Sequence, residues 1–356
     1  MFALDPRRCP VDAGAVLFPL RVDRRRMHPS DIILLRELLA ADPGPVSGNR
    51  LAKLLGVSPS AARTQLQKLT RQGFAIEALP RRGYVLAKKP DALHPALVLA
   101  HLSGRQRVPA IICLDRTDST NSEAERRLAA GEAAPFVVFA REQTQGRGRR
   151  GRPWHSAANG NLYASFAFRP HLAPARMHDF TLWMGLAVCE LVANFCQLSP
   201  GLKWPNDLHV GGKKAGGMLT EARIDADEIR DLVFGLGLNV NGRSAALPRE
   251  LQRTATSLAD ATGAPVDLNR FAAALTGRVL TAYAAFVDGS YREKFSALWE
   301  HYDVLRGKPV TIIQGTRTVS GTATGIDAEG SLLVRLANGK TERFRAGEVT
   351  LGKDLT

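Results

Sequence analysis

The sequence predicts an α+β protein in three folded parts: an N-terminal winged helix-turn-helix, a central mixed sheet with helices, and a small C-terminal β-barrel. Three observations carry this. Residues 31–72 hold three helix patterns separated by turns, and two short strand patterns follow them. From Ala110 strands and helices alternate, and Gly211-Gly212 between two strand runs signals a tight hairpin; that argues for an α+β sheet over a doubly wound one. From Pro309 short alternating strands take over, with turns at Glu329-Gly330 and Asn338-Gly339. The parts are expected at 29–90, 91–305 and 306–356, after a disordered extension over 1–28 that has little apolar periodicity.

The first helix, Asp31–Ala40, turns Ile32, Leu35, Leu38 and Leu39 to one side with Ser30 as N-cap, and Asp42-Pro43-Gly44-Pro45 ends it. Ser47 caps a second helix, Asn49–Leu55, closed by Gly56. Ser58 and Pro59 open a third, which runs to about Gln72 and buries Ala62, Leu66 and Leu69. Ser60, Arg63, Thr64, Gln67 and Lys68 then face outward, as base edges and phosphates require of a recognition helix. Arg81 and Arg82 sit in the turn between strands Ala75–Leu79 and Tyr84–Ala87, a basic wing. Lys88-Lys89-Pro90 reads as a linker.

In the central part, strand Ala110–Asp115 precedes a helix from Ser122, for which Thr120 and Glu123 would form a capping box. Strands Phe136–Ala140 and Leu162–Phe168 follow, the second alternating. Asp179–Leu198 is a helix apolar on nearly all sides, hence buried. Leu202–Trp204, Asp207–Val210, Lys214–Ala222 and Leu232–Val240 are strands, and Asn269–Val287 and Ser290–Tyr302 are helices.

Composition narrows the class. The net charge of the 356 residues is +14, and +9 of it lies in residues 1–90, which points to polyanionic partners. Among the four cysteines (Cys9, Cys113, Cys189, Cys196) no CxxC or His/Cys ligand spacing occurs, so no protein-held metal is expected. Cys189 and Cys196 on one helix stand about 10 Å apart, too far for a disulfide; reduced thiols suit a cytoplasmic protein. The apolar run Phe180–Cys189 is too short to cross a bilayer.

Chemistry concentrates in Arg141–Ser156, REQTQGRGRRGRPWHS, where Arg147, Arg149, Arg150 and Arg152 alternate with glycines. Forked cationic donors suit phosphate and carboxylate, and glycine allows close backbone approach. With no core residue before Trp154, the run is expected to fold around an anion. Taken alone, it equally fits a solvated basic loop. Its company decides: Ser119-Thr120-Asn121, Lys203-Trp204-Pro205-Asn206-Asp207, Lys213-Lys214-Ala215-Gly216-Gly217 and Gly235-Leu236-Gly237-Leu238-Asn239. No G-x-x-x-x-G-K-[ST] loop occurs, which disfavours kinase-type phosphate transfer.

In this order the motifs closely resemble the catalytic domain of biotin protein ligases and, with the helix-turn-helix, the bifunctional biotin ligase/repressors. The resemblance runs from about Pro29 to the C-terminus and departs at Pro153 and His155, where some relatives carry Lys and Phe. It implies a biotin/lipoate ligase-like central domain, an SH3-like C-terminal barrel, and ATP with Mg²⁺ acting on biotin. The expected product, biotinyl-5′-adenylate, passes biotin to a lysine of a biotin carboxyl carrier protein and serves as corepressor on operator DNA. A homodimer is implied when the adenylate is bound, by sheet-edge pairing that would involve Leu232–Val240. The resemblance also assigns residues. Ser119, Thr120 and Asn121 would bind the ureido ring, with Gln143 beside the tail. Arg147, Gly148, Arg149 and Lys214 would hold the carboxylate, and Gly235 and Gly237 leave room. Arg149, Arg152, Trp154, Lys203, Asn206 and Asn239 would contact the nucleotide, with Lys214 and Arg149 catalytic. For Asn206 and Asp207 a structural role competes evenly. A lipoate ligase, or a ligand-sensing regulator without ligase activity, remains the alternative.

Overall fold

The structure, a computed structural model, describes residues 28–102, 109–158, 160–177 and 179–351. The extension expected over 1–28 lies outside them except for His28.

Three helices, α1 (Pro29–Ala41), α2 (Gly48–Leu55) and α3 (Pro59–Arg71), precede a two-stranded wing, β1 (Ala75–Leu79) and β2 (Gly83–Lys88). Ser47 and Ser58 cap α2 and α3 through their hydroxyls. The cap of α1 is His28, not Ser30: its imidazole accepts from the Ser30 N–H, while the Asp31 carboxylate accepts from the His28 N–H. Val46 and Tyr84 exchange two 2.8 Å backbone hydrogen bonds, which fasten the wing to the α1–α2 connection. Ala62, Leu66 and Leu69 are buried; Ser60, Arg63, Thr64, Gln67, Lys68, Arg81 and Arg82 are exposed, as expected.

The segment read as a linker is pinned. Lys89 Nζ lies 2.5 Å from Asp267, and Asn269 accepts from the His94 N–H at 2.8 Å while donating to Ala92 O at 3.1 Å. A short helix that periodicity did not reveal, α4 (Pro95–His101), follows, and Arg36 of α1 donates to the Leu99 and Leu102 carbonyls near its end.

The central part then runs β3 (Ala110–Thr117), α5 (Thr120–Ala129), β4 (Phe136–Gln143), β5 (Leu162–Phe168), α6 (Phe180–Cys196), β6 (Pro200–Lys203), β7 (Asp207–Val210), β8 (Lys213–Asp225) and β9 (Glu228–Leu238). Among the described residues these strands form one mixed sheet, ordered β3-β4-β5-β9-β8-β7-β6, in which only β3 and β4 are parallel. Gly211 and Gly212 both take the left-handed conformation that the β7–β8 turn needs (φ 58° and 77°). Two expectations change here. The strand β5 is buried at all seven residues, because α5 covers one face of the sheet and α6 the other. And β9 pairs with β5 on one side and β8 on the other, so Leu232–Val240 cannot supply an edge to a second copy. Since β7 meets β8 only up to Gly217 and Asn206 takes both backbone groups of Met218, the flank of β8 beyond Met218 pairs with no strand among the described residues.

After β9 come two short helices, α7 (Arg249–Gln252) and α8 (Leu258–Thr262), then α9 (Leu268–Asp288) and α10 (Arg292–Tyr302). By length and composition alone Pro174–Cys196 could cross a bilayer. Eleven of the seventeen residues of α6 are instead buried, with Phe180 edge-on to Phe234 of β9 and Phe286 of α9, so α6 is a core helix. The C-terminal part is an antiparallel sheet of β10 (Pro309–Gln314), β11 (Arg317–Ile326), β12 (Leu332–Arg335), β13 (Thr341–Phe344) and β14 (Glu348–Leu351), ordered β13-β12-β11-β10-β14. It meets the central part at Trp204, whose buried indole N–H donates to Gly330 O at 3.0 Å, and at the arginine loop.

Candidate active site

A cavity of about 400 Å³ opens where α5, β8, β9, the arginine loop and the start of β14 converge. All fifteen ligand-contacting residues expected from the sequence line it: Ser119, Thr120, Asn121, Gln143, Arg147, Gly148, Arg149, Arg152, Trp154, Lys203, Asn206, Lys214, Gly235, Gly237 and Asn239. The seven expected DNA contacts lie on the winged helix, away from it.

Its closed end is polar. The N-cap of α5 is Ser119 and makes no side-chain cap, so the expected Thr120 capping box does not form. Thr120 instead gives its N–H (2.8 Å) and its hydroxyl (3.1 Å) to Gln143 Oε1. Ser165, a buried hydroxyl within the apolar β5, lies 2.8 Å from Thr120 Oγ1 and 2.5 Å from Asn121 Oδ1. Gln143 donates onward to Ser156 Oγ at 2.9 Å. These buried groups form one hydrogen-bonded chain, which fixes where donors and acceptors face a ligand. Gly235 keeps the space open: a Cβ there would sit 2.2 Å from Asn121 Oδ1. Gly235→Ala is therefore expected to cost about 1–3 kcal/mol in stability by forcing Asn121 aside, read as a lower urea midpoint; an unchanged midpoint would show that the strand yields freely.

The open end is cationic, and the loop folds around carboxylates supplied by the protein itself. Arg147 and Pro153 bridge across it, and the Gly148 N–H donates to Arg152 O at 2.7 Å. Arg147 pairs with Glu221 at 3.0 Å, and Arg152 with Glu348 at 2.5 Å. Arg149 donates to the Gly347 carbonyl at 3.3 Å; among the described residues it is the loop arginine without a carboxylate within 4.0 Å. Burial, then the charge of Arg150, push its guanidinium below the usual arginine range. Trp154 lies across Gly217 and Gly237, where a Gly237 Cβ would stand 2.5 Å from its Nε1, and that buried N–H has no partner among the described residues. The resemblance assigned this floor to biotin and Trp154 to the adenine.

Lys214 emerges beside the β7–β8 turn, its backbone held by the Thr254 carbonyl and the Thr256 N–H. Its Nζ is 2.7 Å from Asp207 Oδ1 and 5.4 Å from the centre of the Trp154 ring. Asn206 and Asn239 are committed to backbone, donating to Met218 O (2.7 Å) and Thr256 O (3.0 Å), which favours the structural reading of Asn206. Sequence reasoning missed Ser165, Glu221 and the Gly347–Thr350 wall. A lone hydroxyl in Leu162–Phe168 was the available signal for Ser165; Glu221 falls two and four residues after Leu219 and Gly217, on the same face of β8.

Three family models match the chain. Residues 113–239 match the Biotin/lipoate A/B protein ligase family, 306–352 the Biotin protein ligase C terminal domain, and 32–85 an HTH domain. The chain is 30% identical over 314 residues to the Bifunctional ligase/repressor BirA of Bacillus subtilis (strain 168), covering 86% of this chain and 94% of that one. It is also 30% identical to the Bifunctional ligase/repressor BirA of Escherichia coli (strain K12), covering 86% and 92%. The biotin protein ligase from Aquifex aeolicus in complex with biotin and ATP superposes with a TM-score of 0.58 at 29% identity, over 68% of this chain and 97% of that one. The chain belongs to the biotin/lipoate protein ligase family and, with its helix-turn-helix, to the bifunctional biotin ligase/repressors within it.

Proposed function

We propose that this protein is an ATP-dependent, AMP-forming ligase that joins biotin to a lysine of a biotin carboxyl carrier protein, and that its adenylate-bound form represses transcription as a DNA-binding homodimer. The observation that carries the reading is the polarity of the cavity. A hydrogen-bonding closed end suits a neutral ring, and Arg149 and Lys214 at the open end suit a carboxylate and a phosphate together.

The chemistry follows from that arrangement. A carboxylate oxygen of biotin attacks the α-phosphorus of ATP and pyrophosphate leaves. A carrier lysine, as free amine, then attacks the acyl carbon and AMP leaves. The protein needs no nucleophile of its own; it must gather two anions and stabilise charge that grows on the phosphoryl oxygens. Lys214 and Arg149 take that role, with Arg152 exchanging its carboxylate partner for the ligand while Glu221 keeps Arg147 in place. Mg²⁺ would arrive with the triphosphate. Among the described residues no cluster of three metal-ligating side chains occurs. The cavity's carboxylates Asp207 and Glu348 are each paired with a cation, so phosphate oxygens and water would hold most of the ion. Free thiols at Cys113, Cys189 and Cys196 support a cytoplasmic setting.

A lipoate ligase fits less well. A dithiolane ring offers no N–H or C=O, and would leave the buried Thr120–Ser165–Asn121 chain without a partner in the ligand. Mixing the protein with ATP, a carrier domain and either biotin or lipoate tests this: we expect a single biotin mass on one carrier lysine and no gain with lipoate, and the reverse pattern would refute the assignment.

For the repressor, half-site recognition by two copies adds phosphate contacts, and the open flank of β8 is available for pairing. Arg63→Ala is expected to weaken operator binding by about 1–3 kcal/mol if it reads a base, with carrier biotinylation unchanged. A DNA titration with and without biotinyl-5′-adenylate, beside sedimentation, checks it. Affinity and oligomeric state that both ignore the adenylate would contradict the coupling.

A further inference from the structure

Glu221 lies outside the arginine loop and the KWPND stretch, yet its carboxylate joins the two ends of the cavity. One oxygen accepts from Asn121 Nδ2 at 2.6 Å and from Arg147 at 3.0 Å; the other lies 3.1 Å from the same guanidinium nitrogen. Asn121 Nδ2 also faces Leu219 O at 3.3 Å. A carboxylate and a carbonyl can only accept, so the Asn121 amide has one orientation open to it. Its nitrogen points at Glu221, and its oxygen at Ser165 and the space above Gly235. On the other side Arg147 donates to Ser122 Oγ at 2.5 Å. The hydrogen-bonded chain thus leaves the loop at Arg147, passes through Glu221, Asn121, Ser165, Thr120 and Gln143, and returns to the loop at Ser156, whose hydroxyl donates to Trp154 O at 3.1 Å. Glu221 is the charged acceptor in this circuit, with its side chain 31% exposed.

We propose that Glu221 is a positioning residue for ring specificity. It holds the Asn121 oxygen toward the cavity as the acceptor for a ligand N–H, which selects a cyclic urea over a ring without donors. The same carboxylate places Arg147, so ring recognition and loop placement share one group. This rests on the biotin reading above.

Calorimetric titration of biotin without ATP tests it, using Glu221→Leu, Asn121→Asp and the double variant that combines Asn121→Asp with Glu221→Gln. Leucine removes the acceptor, and an aspartate in place of Asn121 sets two carboxylates against each other. Each is expected to weaken biotin about tenfold or more. In the double variant the new glutamine amide donates to the new carboxylate, reversing the native hydrogen bond while leaving an oxygen toward the ligand. Affinity should rise at least about threefold above that of Asn121→Asp alone, short of wild type because the new carboxylate still faces Leu219 O. Near-native affinity in Glu221→Leu, or a double variant no tighter than Asn121→Asp alone, overturns the proposal. Should Glu221→Leu not fold, the isosteric Asn121→Asp variant and its double decide by themselves. A wild-type protein that binds no biotin removes the underlying reading and the proposal with it, and that failure shows before any variant is made.

Discussion

Lys214→Ala is expected to slow adenylate formation by roughly 3–4 kcal/mol, a hundredfold to a thousandfold, while biotin capture changes far less. The asymmetry follows from geometry. On the proposed reading the ring meets Ser119–Asn121 and Gln143 at the closed end, with Ser165 buried behind them, and none of the hydrogen bonds that hold these groups involves the lysine. At the open end Lys214 Nζ, partly exposed and 2.7 Å from Asp207, is the lysine poised beside Trp154 and the glycine floor. When a phosphate competes for it, the exposed ion pair with Asp207 has little to set against a charge that grows during reaction. Single-turnover kinetics beside calorimetric biotin binding separates the two effects. Near-wild-type adenylation would remove Lys214 from catalysis.

The largest loss of stability is expected at Trp204. The residue is 2% exposed, its indole N–H donates to Gly330 O, and a Cβ on Gly347 would stand 3.8 Å from its ring. Trp204→Ala removes a large buried ring and strands a carbonyl, at a cost of about 3–5 kcal/mol. It also frees the C-terminal sheet whose Gly347 and Glu348 hold Arg149 and Arg152. The urea midpoint should fall together with ligase activity. Trp204→Phe, which keeps most of the packing and loses the hydrogen bond, should cost about 1 kcal/mol. A change below that in Trp204→Ala would mean that the C-terminal sheet is attached elsewhere.

Local signals carried most of the fold. Serine caps at 47 and 58, the Gly211-Gly212 turn and the run Leu162–Phe168 each state their structure within a few residues. Errors arose where distant segments decide. Seven residues of α4, apolar between Pro95 and His101, are too short to show a period, and they are helical because α1 and α9 cover them. The continuous apolar character of Leu232–Leu238 is what burial on both faces of the sheet demands, and pairing at both edges makes β9 an interior strand. The site was legible as motifs and illegible as a circuit. Each expected ligand residue reaches one cavity, but the carboxylates that neutralise the loop, Glu221 and Glu348, lie about seventy and two hundred residues away in the chain. Nothing in a single acidic residue on a strand announces which arginine it will meet.

The central claim is that this cavity activates biotin with ATP. Exchange of labelled pyrophosphate into ATP measures that step alone, without carrier protein or DNA. The account predicts exchange when biotin is present, none when biotin is omitted, and none when lipoate replaces it. Exchange that is absent with biotin, or that proceeds equally without it, would contradict the account.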